Sequence, residues 1–362
     1  MKQRIISVDI FRGLTIALMI LVNTPGTWEA VYPPLRHAQW HGYTPTDLVF
    51  PFFLFIVGTS IVFAYQNKQP GAAVYRKIGV RTLKLLGLGL FLGAFTLSFP
   101  FIEPFGEIRF PGVLQRIGVV FFAASLLFLH LNWRALLGIA VAILLGYWIW
   151  MGFVPLEGQA PTFDRAPNNW ANYIDLHVFG THMYKTDYDP EGLLSTLPSI
   201  VTSILGIFTG LLLVGDFKNK VRRMILMGAG LLVLGHLWDP LFPINKALWT
   251  SSFVLVTAGW ANLVLALIYY LTDVKGLRFG SIFSYAGANA ITVYFLSSFL
   301  TKLFYLIEMG EGESLHSWLF QTIYAHEGMP PEFSSLLYGL TVMGFYLLVG
   351  WWMYRRNIFI KV

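Results

Sequence analysis

Residues 47–65 read DLVFPFFLFIVGTSIVFAY, and this stretch decides the class of fold. Asp47 is its only charged residue, and apolar side chains fill most of the positions that follow. A helix that crosses the hydrocarbon core of a bilayer needs about 20 mostly apolar residues. We therefore predict that this segment spans a membrane.

The composition of the whole chain indicates a membrane protein with many spans. Its 362 residues are 56% hydrophobic, 17% aromatic and only 12% charged, whereas about 25% of the residues of a soluble domain are charged. This balance excludes a soluble globular enzyme and a disordered chain. The absence of cysteine excludes disulfides and a thiol nucleophile. The net charge of +6 comes from basic residues scattered between apolar segments, so we expect membrane lipid, and no nucleic acid, as a partner.

Further apolar runs lie on both sides of this segment, and together they predict about ten transmembrane helices. We predict an all-α polytopic integral membrane protein in which residues 1–362 form one transmembrane domain with one long connection, at 154–192. The first span is expected to be a retained helix, because no small-residue cleavage site follows it. The predicted spans are residues 8–24, 47–65, 78–98, 113–131, 134–153, 193–215, 221–237, 247–271, 282–307 and 334–354.

The distribution of basic residues predicts the orientation, because Lys and Arg concentrate in the cytoplasmic loops of membrane proteins. With both termini in the cytoplasm, the inner side and its flanks hold 18 of the 25 Lys and Arg residues, but only the acids Asp9, Asp216 and Asp273. We therefore predict cytoplasmic termini and an exterior 154–192 connection. The inner basic residues are Lys2, Arg4, Arg12, Lys68, Arg76, Lys77, Arg81, Lys84, Arg134, Lys218, Lys220, Arg222, Arg223, Lys275, Arg278, Arg355, Arg356 and Lys361.

The polar residues around the first predicted loop form the main candidate for a catalytic site. Asn23 closes the first span, His37 and His41 lie in the loop, and Asp47 opens the second span, so all four meet at the outer boundary. An imidazole, an amide and a carboxylate suit general-base catalysis and the stabilisation of a developing oxyanion. The structural alternative is an interfacial histidine, with Asp47 as a favourable charge at a helix N-terminus.

Basic residues near the inner boundary are candidates for binding a phosphate-bearing ligand. Lys77, Arg81 and Lys84 share one face of the third span, where they serve either as a phosphate clamp or as ordinary inner positive charges. Arg12 follows Asp9 by three residues on the first span, a spacing that also suits a simple intrahelical ion pair.

Two further segments carry polar groups at the membrane or its edge. Arg116 lies about a turn inside the fourth span, where a lone arginine either faces a cavity or extends its head group to the interface. The run PINKALWT at 243–250 places Asn245, Lys246 and Trp249 at the start of the eighth span, as ligand-binding groups or as interface anchors. We expect no metal site, because the eight histidines are dispersed and no HExxH motif occurs.

Eight motifs follow one another between residues 7 and 249. They are SVDIFRG at 7–13, VN at 22–23, HAQWHG at 37–42, DLVFP at 47–51, RFPGVLQRIG at 109–118, YID at 173–175, DPEG at 189–192 and PINKALW at 243–249. Together they resemble the motifs of the heparan-α-glucosaminide N-acetyltransferase family and its bacterial relatives.

The resemblance implies an enzyme that acetylates glucosamine amines across a membrane with acetyl-CoA from the cytoplasm. It makes His37, in the His-Ala-x-Trp motif, the catalytic histidine and Asn23 the family asparagine, and it favours functional roles for Asp47 and Arg116. The bacterial relatives imply glucosamine or a short glucosamine-containing glycan as the acceptor, and the bacterial inner membrane as the location.

The implied reaction must bridge a hydrocarbon core of about 30 Å, which separates the cytoplasm from His37. We expect the phosphates of acetyl-CoA near Arg12, Lys77 and Arg81, and its thioester near Asn23 and His37. Direct transfer and an acetyl-histidine intermediate are both open, as is a homodimer. The other residues expected to bind acetyl-CoA are Arg116, Asn245, Lys246 and Trp249.

Two other functions are compatible with these residues. One is a sugar permease whose polar side chains line a passage, and the other is an O-acyltransferase for a cell-envelope glycan. Consumption of acetyl-CoA distinguishes an enzyme from a permease, and an acceptor screen with mass-spectrometric detection distinguishes the two acyltransferases.

Overall fold

The computed structural model describes residues 5–310 and 312–360 of the chain. Within these ranges the protein consists of helices, turns and isolated β-bridges, without a β-strand. Lys2, Arg4 and Lys361, which count among the predicted inner basic residues, lie outside the described residues. The α-helices are α1 (Ile6–Asn23), α2 (Pro45–Tyr65), α3 (Ala72–Ala94), α4 (Val113–His130), α5 (Trp133–Phe153), α6 (Trp170–Phe179), α7 (Thr196–Val214), α8 (Lys220–Trp238), α9 (Ser251–Tyr269), α10 (Ser281–Ala288), α11 (Ala290–Leu306), α12 (Leu315–Ile323) and α13 (Pro331–Arg355).

Eight helices in the described part of the chain are long and apolar enough to cross a membrane, by length and composition. They are α1, α2, α4, α5, α7, α8, α13, and α9 with the helical turn Tyr270–Val274 that continues it. This confirms the prediction of an all-α polytopic membrane protein.

The two other predicted spans have a different character. The predicted span at 78–98 falls on α3, which has 23 residues but carries several basic side chains in its first half. The predicted span at 282–307 is not one continuous helix, because the structure divides it into α10 and α11 at Asn289. The Asn289 side chain bonds instead to the backbone of Ile358 and Ile360, near the other end of the chain. The break between α10 and α11 therefore coincides with hydrogen bonds to residues far away in the sequence.

Most of α2 is buried, and it packs against α1, α4, α7 and α9. Gly58 of α2 faces the backbone of Ser203 in α7, and Gly206 of α7 faces the backbone of Phe55, so a β-carbon at either glycine would overlap the other helix. At the same contact the Ser203 hydroxyl donates to the Leu54 carbonyl at 2.6 Å. Small residues that let helices approach closely are typical of membrane-protein interiors.

α1 and α2 form an antiparallel hairpin joined by residues 24–44, which we call the first loop. Towards the opposite end of the hairpin, Nη2 of Arg12 in α1 donates to Oγ of Ser60 in α2 at 2.8 Å. The hairpin therefore presents different polar groups at its two ends.

Residues 154–192, which we call the long loop, contain α6 and lie against the first loop. Nε1 of Trp40 donates to the carbonyl of Phe163 at 2.9 Å, and Nε2 of His41 lies 2.9 Å from Oδ1 of Asp164. Both loops are consequently at the same end of the bundle.

Candidate active site

Asp47 is a buried carboxylate in the first turn of α2, with a side chain that is only 1% exposed. The sequence Thr44-Pro45-Thr46-Asp47 starts the helix as a capping box, in which the side chain in the first turn accepts the N–H of the cap residue. Oδ2 of Asp47 accepts the N–H groups of Thr44 and Ala38, each at 3.0 Å. The carboxylate thereby holds the start of α2 and the first loop together.

The other oxygen of Asp47 orients His37. Nδ1 of His37 lies 2.7 Å from Oδ1 of Asp47. Because a carboxylate can only accept hydrogen bonds, this contact favours the tautomer in which Nδ1 carries the proton and Nε2 carries the lone pair. The His37 side chain is 43% exposed, so a ligand can reach Nε2.

Lys246 places a third ionisable group beside this pair. Its Nζ lies 3.1 Å from Nδ1 and 3.4 Å from Nε2 of His37, and 3.5 Å from Oδ1 of Asp47. Burial lowers the pKa of Lys246, and the negative charges of Asp47 and Glu191 oppose that shift. Sequence reasoning placed Lys246 among the residues that bind acetyl-CoA, and the structure places it at the histidine.

His37, Asp47 and Lys246 line a cavity of about 290 Å³, which we call the His37 cavity. Asn23, the exposed last residue of α1, lines the same cavity. The structure therefore brings together the three residues predicted to be catalytic. His41 is absent from the lining and pairs with the long loop instead.

An arginine–carboxylate cluster forms another wall of the His37 cavity. Arg109 donates from Nε and Nη2 to the two oxygens of Asp189, at 2.8 and 2.5 Å, and from Nη2 to Glu191 at 2.5 Å. Burial alone would lower the pKa of Arg109, but the two carboxylates raise it. Arg109, Glu191, Tyr184 and Tyr188 all line the cavity, which therefore presents both charge and aromatic rings to a ligand.

Sequence reasoning did not connect Arg109 with the acidic motif at 189–192. The available signal was that the RFPGVLQRIG and DPEG motifs carry opposite charges and both belong to the family resemblance. Tyr184 and Tyr188 lie in a polar loop with no pattern that distinguishes them, so only the folded structure identifies them as lining residues.

A larger cavity, of about 1090 Å³, lies towards the opposite end of α1 and α2, and we call it the basic cavity. Arg12, Lys77 and Arg81, the residues predicted to bind phosphates, all line it together with Arg76 and Lys84. None of its described lining residues is acidic. The cavity is therefore suited to a polyanionic ligand.

Two of these cations are held against the cavity wall. Nη1 of Arg12 pairs with Oδ1 of Asp9 at 3.3 Å, as the three-residue spacing suggested. The Arg81 guanidinium lies 4.5 Å from the centroid of the Phe121 ring, a cation–π contact. Both side chains thus have defined positions while they remain part of the lining.

The two cavities share one face of the α1–α2 hairpin. On α2, Phe50 lines the His37 cavity and Phe53, one turn later, lines the basic cavity. On α1, Asn23 lines the former and Arg12 the latter, and the helical rise places these two residues roughly 16 Å apart along the axis. The arrangement suits one elongated ligand whose ends occupy different cavities.

Three residues predicted to bind acetyl-CoA line neither cavity. Arg116 is buried, where Nη2 donates to the Gly192 carbonyl at 3.0 Å and the guanidinium lies 5.1 Å from the ring centroid of Trp249. Trp249 is itself fully buried. Oδ1 of Asn245 accepts the N–H of Leu248 at 2.9 Å. These contacts join α4, the long loop and the segment before α9.

Comparison with known proteins gives the family. Residues 4–238 match the family model described as heparan-alpha-glucosaminide N-acetyltransferase, catalytic. The human protein named heparan-alpha-glucosaminide N-acetyltransferase is 29% identical to this chain over an alignment of 430 residues, counted with its gaps. The alignment covers 100% of this chain and 60% of the human protein. The mouse protein of the same name is 28% identical over 428 residues, which cover 99% of this chain and 61% of the mouse protein. This chain thus spans about three fifths of the length of these relatives. Since the family model covers more than half of it, the chain belongs to the heparan-alpha-glucosaminide N-acetyltransferase family.

Proposed function

We propose that this protein transfers the acetyl group of cytoplasmic acetyl-CoA to the amine of glucosamine, or of a terminal glucosaminide, on the other side of the membrane. The observation that carries the proposal is the pair of cavities on one hairpin, one lined by cations and one by a histidine that a buried aspartate orients. The relatives' name supplies the reaction class. Family membership favours a transferase over a sugar permease.

The basic cavity is suited to the nucleotide end of acetyl-CoA. Phosphates form strong charge-assisted hydrogen bonds with arginine and lysine, and Arg76, Lys77 and Arg81 are available in the lining. The predicted orientation puts this end of the bundle in the cytoplasm, where acetyl-CoA is made available. The thioester end then extends along α1 and α2 towards Asn23.

The His37 cavity is suited to an amino sugar. The Glu191 carboxylate can accept a hydrogen bond from an ammonium group, and the rings of Trp40, Tyr184 and Tyr188 offer apolar faces to a sugar ring. Its volume of about 290 Å³ matches the smallest ligand sites in proteins. This favours a single glucosamine unit over a longer stretch of glycan.

In the proposed reaction, His37 acts as a general base through Nε2. It takes one proton from the sugar ammonium, and the amine nitrogen attacks the acetyl carbonyl carbon. As the C–N bond forms and the C–S bond breaks, His37 returns that proton to the thiolate, and the second proton lost by the nitrogen goes to solvent. The Asn23 amide donates to the carbonyl oxygen, where negative charge develops, and Lys246 adds positive charge nearby.

An acetyl group carried on His37 is the alternative route within the same proposal. Labelled acetyl-CoA added without sugar distinguishes the two routes. Label that stays on the protein, and that His37→Ala abolishes, identifies the intermediate. A protein that stays unlabelled until glucosamine is added, after which the label appears only in acetylated sugar, identifies direct transfer.

Oriented proteoliposomes test the function itself. With acetyl-CoA on the side of the basic cavity and glucosamine on the other side, we expect N-acetylglucosamine by mass spectrometry, formed at least about 10²-fold more slowly by His37→Ala. Product that forms only when both substrates share a compartment would refute transfer across the membrane. Movement of glucosamine without consumption of acetyl-CoA would refute the enzyme.

The proposal also includes the sidedness and the domain organisation. Residues 1–362 act as one transmembrane domain in a bacterial inner membrane, with the long loop outside. Reporter fusions after Tyr354 should report the cytoplasm, and fusions within 160–180 should report the exterior. Fusions at both positions that report the same side would overturn this topology.

A further inference from the structure

Residues 356–360, which we call the C-terminal segment, leave α13 through a Schellman motif. Asn357 has a φ of 55°, a left-handed conformation that asparagine tolerates better than most residues. The N–H of Ile358 donates to the carbonyl of Met353 at 2.9 Å, and the N–H of Asn357 donates to the carbonyl of Tyr354 at 3.1 Å. The motif ends the helix sharply and directs the C-terminal segment away from its axis.

Asn289 holds the C-terminal segment at the break between α10 and α11. The residue is only 2% exposed. Its Nδ2 donates to the carbonyl of Ile358 at 2.9 Å, and its Oδ1 accepts the N–H of Ile360 at 3.0 Å. The side-chain amide thus donates one hydrogen bond to the C-terminal segment and accepts one from it, as the backbone of a neighbouring β-strand would. The ring of Phe359 adds an edge contact, 5.8 Å from that of Tyr354.

Both partners of this pairing belong to the basic cavity. Asn289 and Ile360 both line it, together with the cations of α3. Ile360 is 52% exposed, which leaves an apolar surface facing the space that a ligand would fill. Loss of the pairing would therefore loosen this part of the lining of the basic cavity, while Asn289 and Ile360 lie outside the lining of the His37 cavity.

We propose that Asn289 is a positioning residue for the acyl donor, because it holds the C-terminal segment as the wall against which the nucleotide end of a CoA thioester packs. This inference rests on the proposed function, and it adds a recognition element that carries no charge. The cations attract the phosphates, and the C-terminal segment confines the rest of the nucleotide.

The experiment compares two donors in Asn289→Ala. Acetyl-CoA carries the nucleotide, whereas S-acetyl-N-acetylcysteamine carries only the thioester end. We expect KM for acetyl-CoA to rise about tenfold, the effect of one or two lost hydrogen bonds. The value of kcat, KM for glucosamine, and kcat/KM with the short donor should stay at wild-type values.

A second variant and a matched control separate positioning from folding. Ile360→Gly removes the apolar side chain that lines the basic cavity, keeps Lys361, and should reproduce the loss for acetyl-CoA alone. Asn262 is also a buried asparagine, which accepts from the Thr209 hydroxyl at 2.8 Å but lines neither cavity. Asn262→Ala should lower the thermal midpoint and leave the ratio of the two donors' kcat/KM unchanged.

The outcomes are distinguishable from those that test the function. Equal losses with both donors in Asn289→Ala and in Ile360→Gly would show a structural role and overturn the inference. Wild-type KM for acetyl-CoA in both would overturn it as well. Wild-type protein that uses neither donor would overturn the proposed function instead.

Discussion

Replacement of Asp47 by asparagine tests whether the buried carboxylate makes His37 a base. The amide oxygen of asparagine can still accept the N–H groups of Thr44 and Ala38, so the start of α2 should be preserved. The amide NH₂ would then face Nδ1 of His37, where a carboxylate oxygen now lies at 2.7 Å. Two donors cannot bond, so the imidazole must move its proton to Nε2 and lose the lone pair that takes a proton from the sugar.

The expected magnitude follows from that single contact. A hydrogen bond to a charged group is worth about 1.5–3 kcal/mol, which corresponds to about 10- to 150-fold in rate. The wrong tautomer adds to this loss, and the same replacement in Ser-His-Asp triads lowers kcat about 10⁴-fold. We therefore expect kcat to fall between about 10²- and 10⁴-fold, with KM for acetyl-CoA within about twofold of wild type.

Release of CoA thiol by detergent-purified protein measures both constants. Asp164→Asn is the matched control, because Asp164 also pairs with a histidine, His41, at 2.9 Å, but its side chain is 76% exposed. We expect this control to keep kcat within about threefold, since exposed pairs contribute little. If Asp47→Asn folds with an unchanged thermal midpoint and turns over like wild type, the orientation argument is refuted.

Three further substitutions test other parts of the site. His37→Ala should lower kcat at least about 10²-fold, while calorimetry should still detect binding of acetyl-CoA. His41→Ala should lower kcat much less. If His41→Ala lowers kcat more than His37→Ala does, the catalytic histidine was assigned wrongly. Arg81→Gln should raise KM for acetyl-CoA about tenfold, because one charged hydrogen bond is lost, and should leave KM for glucosamine unchanged. Equal rises in the two KM values would show that Arg81 does not bind acetyl-CoA. Burial raises the pKa of Asp175 in α6 from 3.8 to about 7, so the folded protein holds this proton more tightly than the unfolded chain does. Stability should therefore fall as pH rises from about 4 to 7, by up to about 4 kcal/mol. In Asp175→Asn the thermal midpoint should depend less on pH over that range. If the midpoints of the variant and of the wild type change with pH in parallel, the pKa assigned to Asp175 is contradicted.

The pairing of His37 with Asp47 was accessible from the sequence because both residues flank the start of one helix. Ten positions separate them, and the residues Thr44 to Asp47 identify the first turn of α2. Lys246 was not accessible in the same way. It lies 209 positions from His37, and only the packing of the segment before α9 against the first loop brings its ammonium to the imidazole.

The break at Asn289 shows the corresponding limit for the fold. The apolar composition of 282–307 suits one membrane helix, and no proline marks an interruption. The hydrogen bonds of Asn289 reach residues 69 and 71 positions away, so the break depends on tertiary structure. For Arg116 the sequence left open whether its head group faces a cavity or reaches the interface, and in the structure it contacts the Gly192 carbonyl and the ring of the buried Trp249.

The placement of the two cavities at opposite ends of one hairpin also determines how the membrane voltage acts on the proposed reaction. Moving one elementary charge through 100 mV changes the free energy by about 2.3 kcal/mol. In the proposed reaction the polyanionic nucleotide stays at one end and the sugar ammonium at the other, so only the uncharged thioester arm lies along the helices between them. Because His37 returns its proton to the thiolate within the His37 cavity, no charge crosses the bundle during turnover. With the second proton released to the exterior, one turnover moves no net charge across the membrane, so the free energy of the overall reaction does not depend on the voltage.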